Sequence, residues 1–572
     1  MRESVSIDAI EGESFTFGSA GVWQERVTAK QAAAEAAIPP GWRLSAATLA
    51  GIKLSPNSTT DLTKTDILRK CGILSERELG LTEKYNARQL LWKMAAGEVT
   101  SSEVTLAFSK RAAVAQQLLS CLTETLFPEA QARAAFLDDY LKKHSKVFGP
   151  LHGLPISLKD SFDIAGVQST LGYVSFLGRP IPTVNAALVD VLLGLGAILY
   201  VKTNIPQTLM TADSENIIFG RTLNPKNLGL TAGGSSGGEG ALIAFRGSIL
   251  GVGTDIAGSI RIPSSCCGVY GFKPTTNRIP YGGQTSPALS GMPGIVPSAG
   301  PLATNIGDLE LFVKSIIDAK PWVRDSSVDA VPWFELPPPA VPSYTTKFLT
   351  IGVLEEDPEL PLHPPVKRAL AKAVAALTAA GHTLIPVHQS RSTSTSSGWL
   401  QAFKLFSLDP TNTSIQHILD GGEPMINTVK IGQDRARAEG PTKEFSLLEL
   451  AAMNVERAKY REAWRELWNE HSLDVLIGPS AQHTAPKHDT HGMPGYTVIW
   501  NLLDYPACII PYSTASMELD PDPNGYPSTC PPPAYDPKAF DGAPCAIQVV
   551  APRFQDEQCL FASRIIDDVL NG

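Results

Sequence analysis

The sequence predicts an α/β protein with helices packed on the faces of a sheet. Two features predict it. From Pro150 onward, short apolar runs of strand character alternate with segments of helical period. Where such alternation persists, the intervening helices pack back onto a sheet. The chain has 572 residues, 43% of them hydrophobic, so it can bury a large core.

The elements follow in order. Residues 1–85 are mixed: 30–37 and 64–71 have helical composition, split by the breakers Pro39-Pro40-Gly41 and Ser55-Pro56-Asn57-Ser58. They read as a helical extension packed on one large domain spanning 86–572. Residues 86–144 are helical in pattern. Thr100-Ser101-Ser102-Glu103 is a capping signal. Behind it Val104, Leu106, Phe108, Ala112 and Val114 lie near one helical face. Buried strands are expected at 156–158, 197–201, 348–354, 383–387, 475–477 and 546–550. Between the third and fourth, Val366, Leu370, Val374 and Leu377 recur at helical spacing, and Gly381 closes that helix. A last helix is expected over about 556–570. Residues 332–344, 390–398 and 520–537 are rich in Pro, Ser, Thr, Asp or Gly and read as loops.

Composition narrows the function. Net charge is −9 and no basic tract occurs, so no nucleic-acid partner is expected. No run of about 18 apolar residues suggests a transmembrane helix. Met1-Arg2-Glu3-Ser4-Val5 opens no apolar leader, so a cytoplasmic location is expected. Eight widely spaced cysteines, none in CxxC spacing, read as reduced core residues.

Residues 232–275 carry the densest signal, with Gly and Ser packed at 233–240 and 251–259. Glycine there permits tight turns or close approach of backbone N–H groups to a ligand. A P-loop is excluded, because no Lys follows these glycines at the required spacing. A dinucleotide fingerprint is excluded too, because Gly251-Val252-Gly253 is followed by Ile256 where glycine is needed. Gly233-Gly234-Ser235-Ser236-Gly237 matches the GxSxG elbow in form. The elbow needs a strand before it and a helix after it. Residues 239–245 supply the helix, but 227–232 do not resemble a strand, and no partner His is singled out.

The same segment resembles the amidase signature family. The resemblance rests on Gly233-Gly234-Ser235-Ser236-Gly237-Gly238, on Gly253-Thr254-Asp255-Ile256-Ala257-Gly258-Ser259-Ile260-Arg261, and on Gly271-Phe272-Lys273-Pro274-Thr275. The family's lysine motif stands upstream as Leu151-His152-Gly153-Leu154-Pro155-Ile156-Ser157-Leu158-Lys159-Asp160. Similarity continues at 203–206, 219–225, 501–506 and 554–557, and looks closest to fungal acetamidases, general amidases and fatty acid amide hydrolases. It implies a large mixed central sheet with helices on both faces.

It also implies amide hydrolysis by a Ser-Ser-Lys triad, without metal or cofactor. Ser259 would be the nucleophile, Ser235 the proton shuttle and Lys159 the base. A cis peptide bond would follow Gly234. Backbone N–H groups of Ile256, Ala257, Gly258 and Ser259 would form the oxyanion hole. Ala257 stands where many members have Gly, and would be strained if its φ were positive. Ser236 would hydrogen-bond within the relay, and Asp255 and Arg261 would brace the loop. Gly233, Gly234, Leu209 and Met210 would contact substrate, the last two at acyl-pocket positions. The base role needs a lysine that gives up its proton near neutral pH, which burial favours. Asp160 would oppose this unless it points to the other face of its strand.

Other features yield weaker readings. His483, His488 and His491 with Asp489 lack helical zinc spacing and read as a solvated loop or pocket rim. Cys266-Cys267 read as packed side chains. The partner expected is a small-molecule amide, and a homodimer is compatible with the resemblance. Two alternatives share the chemistry: acyl transfer to an amine in a biosynthetic pathway, and an amidotransferase subunit using glutamine.

Overall fold

The apolar runs pair into an 11-stranded mixed sheet. The computed structural model describes residues 22–292, 294–336, 348–438, 444–522 and 533–572. In chain order the strands are β1 (Leu122–Thr125), β2 (Pro155–Lys159), β3 (Ile198–Thr203), β4 (Glu215–Asn216), β5 (Gly220–Arg221), β6 (Leu250–Asp255), β7 (Tyr270–Lys273), β8 (Ser298–Ala303), β9 (Thr350–Leu354), β10 (Thr383–Val387), β11 (Val475–Gly478), β12 (Ala507–Thr514) and β13 (Pro544–Val550). The order across the sheet is β1-β3-β2-β6-β8-β7-β12-β13-β11-β9-β10; β4 and β5 pair apart from it. β3, β2 and β6 run parallel, as do β11, β9 and β10, and the pairs from β6 through β13 are antiparallel.

Side-chain alternation serves two faces. Along β11, Val475 and Ile477 join one apolar cluster while Leu476 joins another. Along β13, Ile547 and Val549 pack with Cys559, Leu560 and Ile566 of the helix Asp556–Asn571. Gln548 between them turns to the opposite face and accepts from Arg261.

Local signals explain the helix ends. Thr100 and Glu103 form a reciprocal capping box at the start of Ser101–Leu119. Gly381, with φ +92°, follows the helix Pro364–Ala379. In the N-terminal segment, Ile38, Leu44, Leu62, Leu68 and Leu79 share a continuous apolar cluster with Phe108 and Leu118.

Some expectations are corrected. The helical stretch after residue 86 is broken by β1, which pairs with β3 through a bulge. The loop expected at 390–398 contains the start of Thr395–Phe406, capped where Ser394 Oγ accepts from the Ser397 N–H. β7, β8 and β12 are strands beyond those expected. β6 is fully buried although two of its six residues are glycine. Parts of the loops expected at 332–344 and 520–537, and Cys530, lie outside the described residues. Cys71, Cys121, Cys266, Cys267, Cys508, Cys545 and Cys559 are free, all but Cys71 buried. Among the described residues no helix is long and apolar enough to cross a membrane.

Trp500 anchors the helix Gly495–Leu503 in the second apolar cluster. Its ring meets Trp464 edge-on at 5.2 Å between centroids. Trp500→Ala is expected to cost about 3–5 kcal/mol of stability, read as a lower urea midpoint.

Candidate active site

The site assembles at the carboxyl ends of the parallel trio β3-β2-β6. Lys159 ends β2 and is fully buried. Its Nζ donates to Ser235 Oγ at 2.7 Å and to Thr254 Oγ1 at 2.8 Å. Both partners are neutral hydroxyls. Burial pushes the Lys159 ammonium down to about 7, against the opposing pull of Asp255 and Glu239.

Asp160 faces away from this lysine. It accepts from Thr123 Oγ1 at 2.7 Å and from the Leu171 N–H at 2.9 Å, and pairs with the buried Lys202 at 3.4 Å. Neighbouring residues at the end of β2 thus serve opposite sides.

The Gly233–Gly238 turn brings in the serines. The Gly234–Ser235 peptide bond is cis. A side chain at Gly234 would strike the Thr211 carbonyl, so glycine is required there. Ser235 is 2% exposed and Ser259 8%. The Ser236 N–H donates to the Ser259 carbonyl at 3.1 Å, binding the two serine segments together. The Ser236 side chain contacts the Thr254 backbone N–H and carbonyl, each at 3.4 Å. Ser259 Oγ has no hydrogen-bond partner among the described residues.

A buried ion pair shapes the segment 255–261. Asp255 Oδ1 accepts from Arg261 Nη2 at 2.9 Å, and Oδ2 accepts from Arg261 Nε at 3.0 Å. Burial would raise the Asp255 carboxyl, but the Arg261 guanidinium holds it well below the usual carboxylate range. Arg261 also donates to the Thr497 carbonyl at 2.8 Å, to Gln548 Oε1 at 2.9 Å and to Asn501 Oδ1 at 2.6 Å.

Asp255 also takes the Gly258 N–H at 2.8 Å and the Ile260 N–H at 3.1 Å. The Gly258 N–H, one of the four expected oxyanion donors, thus donates to Asp255. The N–H groups of Ile256, Ala257 and Ser259 have no such partner among the described residues. Gly258, not Ala257, has the positive φ, +124°. Thr497 Oγ1 occupies the space a Gly258 side chain would need and donates to the Ala257 carbonyl at 2.7 Å. Alanine at 257 is therefore unstrained.

Leu209 and Met210 lie on the turn after β3, where Thr208 and Leu209 have positive φ. Leu209 packs against the apolar cluster that contains Tyr173, Phe176 and Ile418. Met210 is 49% exposed, one residue from the Thr211 carbonyl that borders Gly234.

The histidine-rich loop is partly buried: His483 is buried, His488, Asp489 and His491 are half-buried, and Lys487 and Thr490 are exposed. The His483 and His491 rings meet at 4.6 Å, and His363 lies 5.8 Å from His483. His483 donates to the Thr484 carbonyl at 2.7 Å and His491 to the Gly492 carbonyl at 3.0 Å. Burial keeps these imidazoles neutral, His363 down to about 4. Among the described residues no cluster of His, Cys, Asp and Glu is arranged to hold a metal ion.

Sequence reasoning missed Thr254, Glu239, Thr497, Asn501 and Gln548. Glu239 carries a readable signal: a carboxylate in the otherwise small and apolar Gly237–Ala244 helix must find partners if buried.

Comparison with known proteins places the chain in a family. Residues 103–560 match the family model described as Amidase. An "Amidase" of Gibberella moniliformis is 42% identical over 550 residues, 96% of this chain and 99% of that protein. An "Acetamidase" of Emericella nidulans is 36% identical over 563 residues, 96% and 98% respectively. The solved structure of a fatty acid amide hydrolase superposes with a TM-score of 0.87 at 31% identity, covering 96% of this chain and 95% of the other. With its buried lysine, its paired serine segments and these relatives across nearly its whole length, the chain belongs to the amidase signature family of amide hydrolases.

Proposed function

We propose that the protein hydrolyses a carboxylic amide to a carboxylic acid and ammonia or an amine through an acyl-Ser259 intermediate. The observation that carries this reading is the 2.7 Å hydrogen bond between the fully buried Lys159 Nζ and Ser235 Oγ. An amide is a weak electrophile with a poor leaving group, so it needs an activated nucleophile, oxyanion stabilisation and protonation of the departing nitrogen.

Lys159 starts neutral. As Ser259 Oγ bonds to the carbonyl carbon, its proton passes to Ser235 Oγ, and the Ser235 proton passes to Lys159 Nζ. The N–H groups of Ile256, Ala257 and Ser259 receive the oxyanion. Each such donor is worth about 3 kcal/mol. On collapse the C–N bond breaks. Ser235 protonates the leaving nitrogen and is reprotonated by Lys159. Water then attacks the ester, its proton travels the same relay, and Ser259 regains its hydroxyl. Thr254 Oγ1 gives Lys159 a second neutral partner and fixes the amine against Ser235 without adding charge.

Relatives named amidase and acetamidase support an amide substrate. A screen of purified protein across amides of increasing acyl length identifies its class. Ser259→Ala is expected to lose activity by about 10⁴-fold or more and to lose fluorophosphonate labelling. Full activity in that variant would overturn the reading.

The relay needs neutral Lys159, and a lysine whose proton leaves near pH 7 is charged below that pH and neutral above it. The rate kcat/KM is therefore expected to rise about tenfold per pH unit below pH 7 and to level above it. Lys159→Met is expected to lower kcat by about 10²–10⁴-fold and to abolish that acid limb.

A further inference from the structure

We propose that Glu239 is a positioning residue for Lys159, an electrostatic partner of the lysine ammonium held by a chain of hydroxyls that accommodates the carboxyl in both charge states. The inference rests on the relay reading of Lys159.

Glu239 is fully buried two residues into the helix that follows the serine turn. Its Oε2 lies 2.6 Å from Ser157 Oγ and its Oε1 2.8 Å from Thr203 Oγ1. Both contacts bear on the lysine. Ser157 precedes Lys159 by two residues in β2, and Thr203 is its partner in register across β3. The adjacent strand is cleared for the carboxyl, since any side chain at Gly251 would strike Glu239 Oε2.

The hydroxyl chain continues. Ser157 Oγ is 2.9 Å from Ser248 Oγ, which is 3.0 Å from the Leu250 carbonyl. A hydroxyl donates one hydrogen, so two patterns are available. When Glu239 is ionised, Ser157 and Thr203 both donate to it and Ser248 donates to Leu250. When Glu239 is neutral, its Oε2–H donates to Ser157, Ser157 to Ser248 and Ser248 to Leu250. Once the carboxyl gains or loses its proton, rotation of the Ser157 hydroxyl hydrogen from Glu239 to Ser248 or back completes the change, and neither pattern leaves a buried oxygen unsatisfied.

This answers a need of the relay. A positive charge appearing on Lys159 in a dry interior costs free energy unless a negative charge accompanies it. Burial raises the Glu239 carboxyl to about 7, against the two hydroxyls and Lys159, so it can ionise in the range where the lysine titrates. The other charged group facing Lys159 is Asp255, already committed to Arg261. Cys121 and Tyr200 face Glu239 from neighbouring elements, and burial keeps both protonated.

The test is the fluorophosphonate labelling rate of Ser259 across pH, which needs no knowledge of substrate. Glu239→Gln copies the neutral pattern, its amide donating to Ser157. Without a negative charge to hold the ammonium, the acid limb is expected to move down by about one pH unit. Ser248→Ala removes the acceptor that the neutral pattern needs. Glu239 then stays ionised more readily, and the limb is expected to move up by about half a unit. Shifts of opposite sign support the proposal, because merely structural damage would lower the rate at every pH. A limb that stays in place in both variants, or moves the same way in both, overturns it. Failure of the relay reading itself looks different: Ser259→Ala would still be labelled, or the native protein would show no acid limb.

Discussion

One buried ion pair holds the segment around Ser259, the proposed nucleophile, in shape. Asp255 and Arg261 bracket that segment, and both are fully removed from water. Such burial costs several kcal/mol per ion and is offset only when every lone pair and N–H finds a partner. Here the partners come from far along the chain: Thr497 and Asn501 from one helix and Gln548 from β13. The pair fastens the turn 255–261 to two distant elements. It also decides which backbone donors stay available, because Asp255 consumes the N–H groups of Gly258 and Ile260 and leaves those of Ile256, Ala257 and Ser259 uncommitted.

Lys159 meets the same dry environment differently. Arginine keeps its charge in any protein setting, so Arg261 must be paired. Lysine can shed its proton, and its hydrogen-bond partners here are hydroxyls that suit an amine as well as an ammonium. The choice of cation at each position therefore follows from the task. A permanent charge braces the turn, and a removable one suits the proposed relay.

Long motifs made the centre of the site legible. Lys159 of the lysine motif meets Ser235 and Thr254 of the two Gly-Ser clusters within hydrogen-bonding distance, and the apolar runs near 156, 198, 351, 385, 476 and 548 are strands. What stayed hidden has a physical cause. β6 reads as a glycine loop because propensity counts glycine against a strand. Its glycines exist to admit neighbours: a side chain at Gly251 would strike Glu239, and one at Gly253 would lie 2.7 Å from Ser236 Oγ. Thr497, Asn501 and Gln548 were invisible because their partner is more than 230 residues away. The histidine segment is a loop, as its Pro and Gly neighbours suggest, and tertiary packing buries His483 within it while Lys487 and Thr490 stay exposed.

Topology explains why the chemistry gathers where it does. β3, β2 and β6 are parallel neighbours, so Thr203, Lys159 and Thr254 all arrive near the same edge of the sheet. A buried parallel strand offers no solvent-facing side, and polar side chains at its end must bond to one another or to the element covering them. The helix Gly237–Ala244 covers this edge, and the serine turn leads directly into it. Lys159 takes Ser235 and Thr254, Thr203 takes Glu239, and Ser236 takes the Thr254 backbone. The demand that buried polar groups be satisfied thus does more than stabilise the sheet: it aligns the Lys159 amine and the Ser235 hydroxyl beside the segment that carries Ser259.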